Sequence, residues 1–123
     1  MQPTTPSLDQ YFDGYGESRE IFDCLRAIIE AMGPVEMRVM ESQIAFYRNR
    51  AFALAWMPGK YRPSRGTSLV LTLSLRRRDL SPRWKVVVPL TRDRFTHHLE
   101  LCSENEIDDQ VCQWLQEAWI QAA

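Results

Sequence analysis

SQIAFYRNRAFALAWM, Ser42 to Met57, decides how the rest of the chain is read. Two strand-like runs meet at Asn49-Arg50, a polar pair that can close a two-residue turn because Asn tolerates positive φ. Such a turn sets Arg48 opposite Ala51, Tyr47 opposite Phe52, Phe46 opposite Ala53, Ala45 opposite Leu54, Ile44 opposite Ala55 and Gln43 opposite Trp56. One face of the hairpin then carries Ile44, Phe46, Ala51, Ala53 and Ala55, and the other Ala45, Tyr47, Phe52, Leu54 and Trp56. Both faces are apolar. A hairpin with one wet side would alternate apolar and polar residues, so this pair is expected inside its sheet, covered on both sides.

Outward from the hairpin, Val35 to Glu41 alternates and reads as a strand entering it. Thr67 to Leu75 places Leu69, Leu71, Leu73 and Leu75 on one face and Ser68, Val70, Thr72 and Ser74 on the other. Trp84 to Val88 is β-branched and stops at Pro89, which predicts a short or edge strand. Arg94 to Cys102 sets Phe95, His97, Leu99 and Leu101 against Thr96, His98, Glu100 and Cys102. Between these strands, PGKYRPSRG after Met57 and RRRDLSPR after Leu75 have no period and read as basic loops.

Helices close both ends. Ser7 and Gln10 match a capping box for a short turn carrying Leu8, Tyr11 and Phe12. Ile21, Leu25, Ile28, Ile29 and Met32 share one face of a helix over about residues 17–32, stopped by Gly33-Pro34. Ser103 and Glu106 form a second capping box, after which Ile107, Val111, Trp114, Leu115 and Ala118 repeat the helical spacing to the C-terminus. A consecutive block of strands between helices predicts an α+β fold: a mainly antiparallel sheet of five to six strands, with N- and C-terminal helices packed on a common face.

The 123 residues, 45% of them apolar, fit one domain over 1–123 with a core of its own. No run approaches a membrane span and the N-terminus has no signal-peptide order, so a soluble cytoplasmic protein is expected, with no membrane partner. Cys24, Cys102 and Cys112 are an odd number without a CxxC pair, which argues against a disulfide framework or zinc knuckle. The net charge of −1 hides a separation along the chain. Residues 1–37 hold seven acids and two bases, residues 38–94 thirteen bases and three acids, and residues 95–123 six acids and no base.

FDGYGESREIFDCLRAIIEAMGPVEMRVMESQIAFYRNRAFA, RFTHHLEL and DDQVCQWLQEAW resemble a family of bacterial domains of unknown function, the one catalogued as family 5655. The resemblance covers nearly the whole chain and implies no activity. The chain departs from the family pattern at Glu41, where a basic residue is expected before Ser42-Gln43. The layout of terminal helices around an antiparallel sheet is also similar, more remotely, to the YdhG-like proteins, some described as frataxin-like iron chaperones.

The histidines, His97 and His98, are expected to point to opposite sides of their strand and cannot share one metal ion without a bulge. His97, flanked by Phe95 and Leu99, is expected in the core. His98 shares its side with Glu100, and a ligand groove there is expected to draw on Gln43, Tyr47, Trp56 and Arg83. A basic surface of Lys60, Arg62, Arg65, Arg76, Arg77, Arg78 and Lys85, with Tyr61 and Trp84 interleaved, would take phosphates and stack bases. A Gly-rich phosphate loop, GxSxG and HExxH are all missing from the sequence, so no catalytic residue and no cofactor is assigned. Three classes fit: a non-enzymatic binding module for a small anionic ligand or nucleic acid, a frataxin-like iron binder, or a protein-interaction or dimerisation domain. Iron would need the acids near the two helix starts, Asp9, Asp13, Glu17, Glu20 and Asp23 with Glu104, Glu106, Asp108 and Asp109, to converge.

Overall fold

The computed structural model describes residues 5–60 and 67–123. Two helices, α1 (Leu8–Tyr11) and α2 (Gly16–Met32), precede strands β1 (Glu36–Val39), β2 (Ile44–Tyr47), β3 (Ala51–Trp56), β4 (Leu69–Leu75), β5 (Val86–Thr91) and β6 (Arg94–Leu101), and helix α3 (Asp109–Gln121) follows. The strands form one six-stranded sheet in the order β1-β2-β3-β4-β6-β5, with every neighbouring pair antiparallel. This is the expected α+β architecture. Because β6 lies between β4 and β5, residues 76–85 must carry the chain past one strand position, and β5 becomes an edge.

The leucines of β4 decide which face is covered. Leu69, Leu71, Leu73 and Leu75 are buried, and the register sets Leu101, Leu99, His97 and Phe95 of β6 beside them, with Ala55 and Ala53 of β3 on the other flank. Ile21, Phe22, Leu25 and Ile29 of α2 and Val111, Trp114, Leu115 and Ala118 of α3 join the same core. Each buried side chain of this size contributes about 1.5–3 kcal/mol, which is why both amphipathic helices settle on one face of the sheet. The strap ahead of α2 extends that core: Ser7 and Gln10 form the expected capping box, and the Phe12 ring packs 5.1 Å from Phe22.

The hairpin differs from expectation at its tip. Ile44↔Ala55, Ala45↔Leu54 and Phe46↔Ala53 pair as read, but Tyr47 pairs with Ala51, so Phe52 is an extra residue in a bulge. The connection holds three residues, and no non-glycine residue among those described adopts positive φ, so Asn49 does not make the two-residue turn. The Asn49 N–H instead donates to the Ala122 carbonyl, 2.9 Å away, and the Arg48 guanidinium sits 3.7 Å over the Trp119 ring. The end of α3 thus takes over the task of the tight turn.

Two other boundaries move. Pro89 does not end its strand but lies within β5 opposite Phe95, which an edge position permits because Pro has no N–H to donate. Trp84 lies ahead of β5, buried, with its ring 4.1 Å from Trp114 and its Nε1–H donated to Asp79. Ser103 and Glu106 do form a capping box, but around a single 3-10 turn, Glu104–Glu106. The cap of α3 is Asp108, whose carboxylate accepts from the Val111 N–H at 3.1 Å.

Candidate ligand cleft on the open sheet face

Both long helices lie on the leucine side, so the outward residues of β3, β4, β6 and β5 form a face that neither helix covers. Strand alternation and register order that face into rows. Trp56, Val70 and Glu100 stand side by side, and Leu54, Thr72, His98 and Val86 form the next row. Ser74 and Thr96 follow, with Val88 beside them.

Thr72 ties the rows together. Its hydroxyl accepts from the Trp56 Nε1–H at 3.3 Å and lies 2.8 Å from His98 Nδ1. Indole can only donate, so the arrangement that uses every proton has Thr72 accepting from Trp56 and donating to Nδ1, which leaves the His98 proton on Nε2. Burial holds the His98 pKa below its ordinary value of 6.5, so the ring is neutral at pH 7. One row away, Glu100 Oε2 accepts from Lys85 Nζ at 3.1 Å and from the Thr67 hydroxyl at 2.9 Å. A cleft of about 190 Å³ opens among Trp56, Pro58, Val86, His98, Glu100 and Lys85. A second, of about 210 Å³, lies further along the face among Phe52, Leu54, Thr72, Ser74, Leu90 and Thr96.

Of the residues expected to line one groove, the structure brings together His98, Glu100 and Trp56, and adds Lys85. The other three are elsewhere. Tyr47 borders a hollow near Pro34 and Asn49, under the Arg38 guanidinium at 4.1 Å, because it pairs with Ala51 at the opposite end of the hairpin from Trp56. Gln43 lies in the β1–β2 connection, its carbonyl accepting from the Met40 N–H, and borders neither open-face cleft. Arg83 is committed to α3: it bonds both Asp108 carboxylate oxygens, Gln110 and the Glu106 carbonyl.

The expected basic surface is also divided. Arg77 is clamped between Asp79 at 2.7 Å and Glu117 at 2.8 Å, and these bonds raise its pKa above the ordinary arginine value. Arg78 lies 5.3 Å over the Phe95 ring. Arg76 is exposed and makes no ion pair among the described residues. Arg62 and Arg65, with Tyr61 and the Lys60 side chain, lie outside the described residues. Trp84, only 7% exposed, is not available to stack a base.

His97 occupies the core as expected, fully buried, with both ring nitrogens engaged. The Asp79 N–H donates to Nε2 at 3.0 Å, so the ring proton must be on Nδ1, which donates to the Phe95 carbonyl at 3.1 Å. Burial lowers its pKa against the smaller raising effect of that carbonyl and of Asp79.

Four of the acids considered for iron are committed to local contacts. Asp9 and Asp23 both hold Arg19, Asp108 holds Arg83, and Glu106 accepts from the Cys102 and Ser103 N–H groups. Among the described residues no three His, Cys, Asp or Glu side chains group to hold a metal ion. The three cysteines are free, and no helix among the described residues is long and apolar enough to cross a membrane. A larger hollow, about 260 Å³, lies beside the start of α2 near Gly14 and Ser68, but the Ser18 hydroxyl there donates to the Ser68 carbonyl at 2.7 Å.

Sequence reasoning passed over Arg50 and Arg94, whose grouping with Arg76 depends on strand order. It also passed over Thr72 as the link between Trp56 and His98, for which the β4 alternation was a signal. No curated protein and no solved structure matches the chain. A family model described as "Domain of unknown function" matches residues 8–122, and the chain belongs to that family, DUF5655.

Proposed function

We propose that the chain is a binding module for a small anionic ligand, held on the open sheet face beside Trp56 and His98. The observation that carries this reading is the hydrogen-bonded set Trp56–Thr72–His98 on a face neither long helix covers. Thr72 is only 4% exposed, and its hydroxyl bonds two side chains that border solvent-facing clefts. A sheet surface with no task would not need to orient an indole and an imidazole at once. The Trp56 ring supplies an apolar wall, His98 Nε2–H a neutral donor, and Lys85 a cation shared with Glu100. These suit binding: Thr72, the hydroxyl nearest the imidazole, is buried and fully engaged.

The test is amide NMR titration of the whole chain with phenol, a ring small enough for either cleft, and with benzoate, its anionic counterpart. Shifts should gather on Trp56, Val70, Thr72, His98 and Glu100, and Trp56→Ala should remove them. Shifts confined to α2 and α3 would overturn the reading. A second reading, self-association along β5, is favoured by the exposure of Val86, Val88 and Leu90 on an edge strand. Light scattering across a concentration series separates the two, since a dimer along β5 would double the mass.

A further inference from the structure

Six basic side chains, Arg19, Arg26, Arg38, Arg77, Arg83 and Lys85, each have a carboxylate within ion-pair distance. Arg48, Arg50, Arg76, Arg78, Arg92 and Arg94 make no such pair among the described residues, although the chain has sixteen acids to fifteen bases. Arg48 and Arg78 lie over the Trp119 and Phe95 rings. Of the rest, Arg50, Arg76 and Arg94 share one place in the fold. Leu75 of β4 pairs with Phe95 of β6, so one residue further on Arg76 lies beside Arg94. Arg50 directly precedes β3, whose antiparallel pairing with β4 runs from Ala53–Leu73 onward, so it lies at the same end of the sheet as Arg76. In the alternation of β4 and β6, Arg76 continues the series Thr72, Ser74, and Arg94 the series His98, Thr96, which are the series of the open face. The three arginines therefore stand at the end of three adjacent strands, next to the cleft of Leu54, Ser74, Leu90 and Thr96.

The grouping is felt electrostatically. Burial first, and then the charges of Arg50 and Arg76, lower the pKa of Arg94, with Asp93 offsetting them in part. Three like charges with Asp93 as a partial counter-charge still repel, and a dianion placed among them would relieve that repulsion. A carboxylate needs one guanidinium; a phosphate, with about two charges and three terminal oxygens, can engage several through paired N–H donors. The positive row is short, and the other end of the open face holds the Lys85–Glu100 pair. A nucleic-acid backbone would need cations along its whole path.

We propose that Arg50, Arg76 and Arg94 are a phosphate-recognition subsite, and that the ligand of the open face is a small phosphomonoester whose apolar part enters the adjoining cleft. This rests on the open face being the ligand site.

The experiment is amide NMR titration of the full chain at low ionic strength with inorganic phosphate, phenyl phosphate and phenol, and separately with a single-stranded oligonucleotide. Phosphate should shift the amides around Arg50, Arg76 and Arg94. Phenyl phosphate should bind roughly tenfold or more tightly than phenol, as expected for charged hydrogen bonds. The double variant Arg76→Gln, Arg94→Gln should abolish that preference and leave phenol binding at Leu54, Thr72 and Thr96 of the adjoining cleft unchanged, while Arg38→Gln, at the far edge of the sheet, should alter neither. Phenol binding with no phosphate preference, or a preference that survives the double variant, would overturn the subsite and leave the open-face reading standing. Loss of phenol binding in wild type would overturn both. An oligonucleotide that binds more tightly than phenyl phosphate, with a steep loss in salt, would overturn the phosphomonoester assignment.

Discussion

Thr72 Oγ1 lies 2.8 Å from His98 Nδ1, directly across the β4–β6 ladder, and the same oxygen takes the Trp56 indole proton. One buried hydroxyl therefore sets the tautomer of the imidazole and the pitch of the indole. Thr72→Val keeps the shape and removes both bonds, so it should cost about 1–2 kcal/mol in denaturant unfolding. The indole N–H resonance of Trp56 should move and His98 should lose its tautomer preference in nitrogen NMR. Thr72→Ser should behave nearly as wild type. A Thr72→Val chain with both signals unchanged would show that the three groups act independently.

His97 and His98 are neighbours in sequence with opposite demands. His97→Ala opens a hole in the core and strands the Asp79 N–H and Phe95 carbonyl, so it should cost roughly 2–4 kcal/mol. His98→Ala loses one hydrogen bond on a partly buried ring and should cost about 1 kcal/mol or less. Thermal melts of the two variants give the order directly. The reverse order would place His98 among the structural residues.

Acid should destabilise the protein through the same two rings. Both have folded pKa values below the ordinary 6.5 because burial disfavours the charged form. The unfolded chain then binds more protons, so stability is complete above pH 6.5 and is lost as pH falls from there toward the folded values. Unfolding free energy measured from pH 8 to pH 5 should decline below about 6.5, and His97→Gln should flatten part of that decline. A profile flat across that range in wild type would contradict the burial assigned to these rings.

Gly33 ends α2 with φ at 148°, and a Cβ built there would meet Trp119 Cζ2 at 2.7 Å. Gly33→Ala combines unfavourable backbone with a collision against a ring whose Nε1–H donates to the Pro34 carbonyl at 3.2 Å. Roughly 1–3 kcal/mol should be lost, with a shift in tryptophan fluorescence as Trp119 is displaced. The companion change Gly33→Ala, Trp119→Leu should recover part of the loss if the collision is its source. Equal melting of Gly33→Ala and wild type would mean that this turn relaxes freely.

Much of the architecture was legible because its signals are local. The β4 leucines, the alternation through His97 and His98, the spacing from Ile21 to Met32 and the capping box at Ser7 each depend on residues a few positions apart. The family resemblance, too, is carried by contiguous segments. What the chain alone left open depends on long-range pairing. The hairpin tip is set by Trp119 and Ala122 at the end of α3, contacts that no local rule for Asn49-Arg50 contains, so the bulge at Phe52 came only from the tertiary structure. The placement of β6 between β4 and β5 makes Arg76 and Arg94 neighbours, and the packing of α3 sends Arg77 to Glu117 and Arg83 to Asp108. A count of charges along the sequence weights every arginine alike; only the fold decides which of them meet a carboxylate and which meet one another.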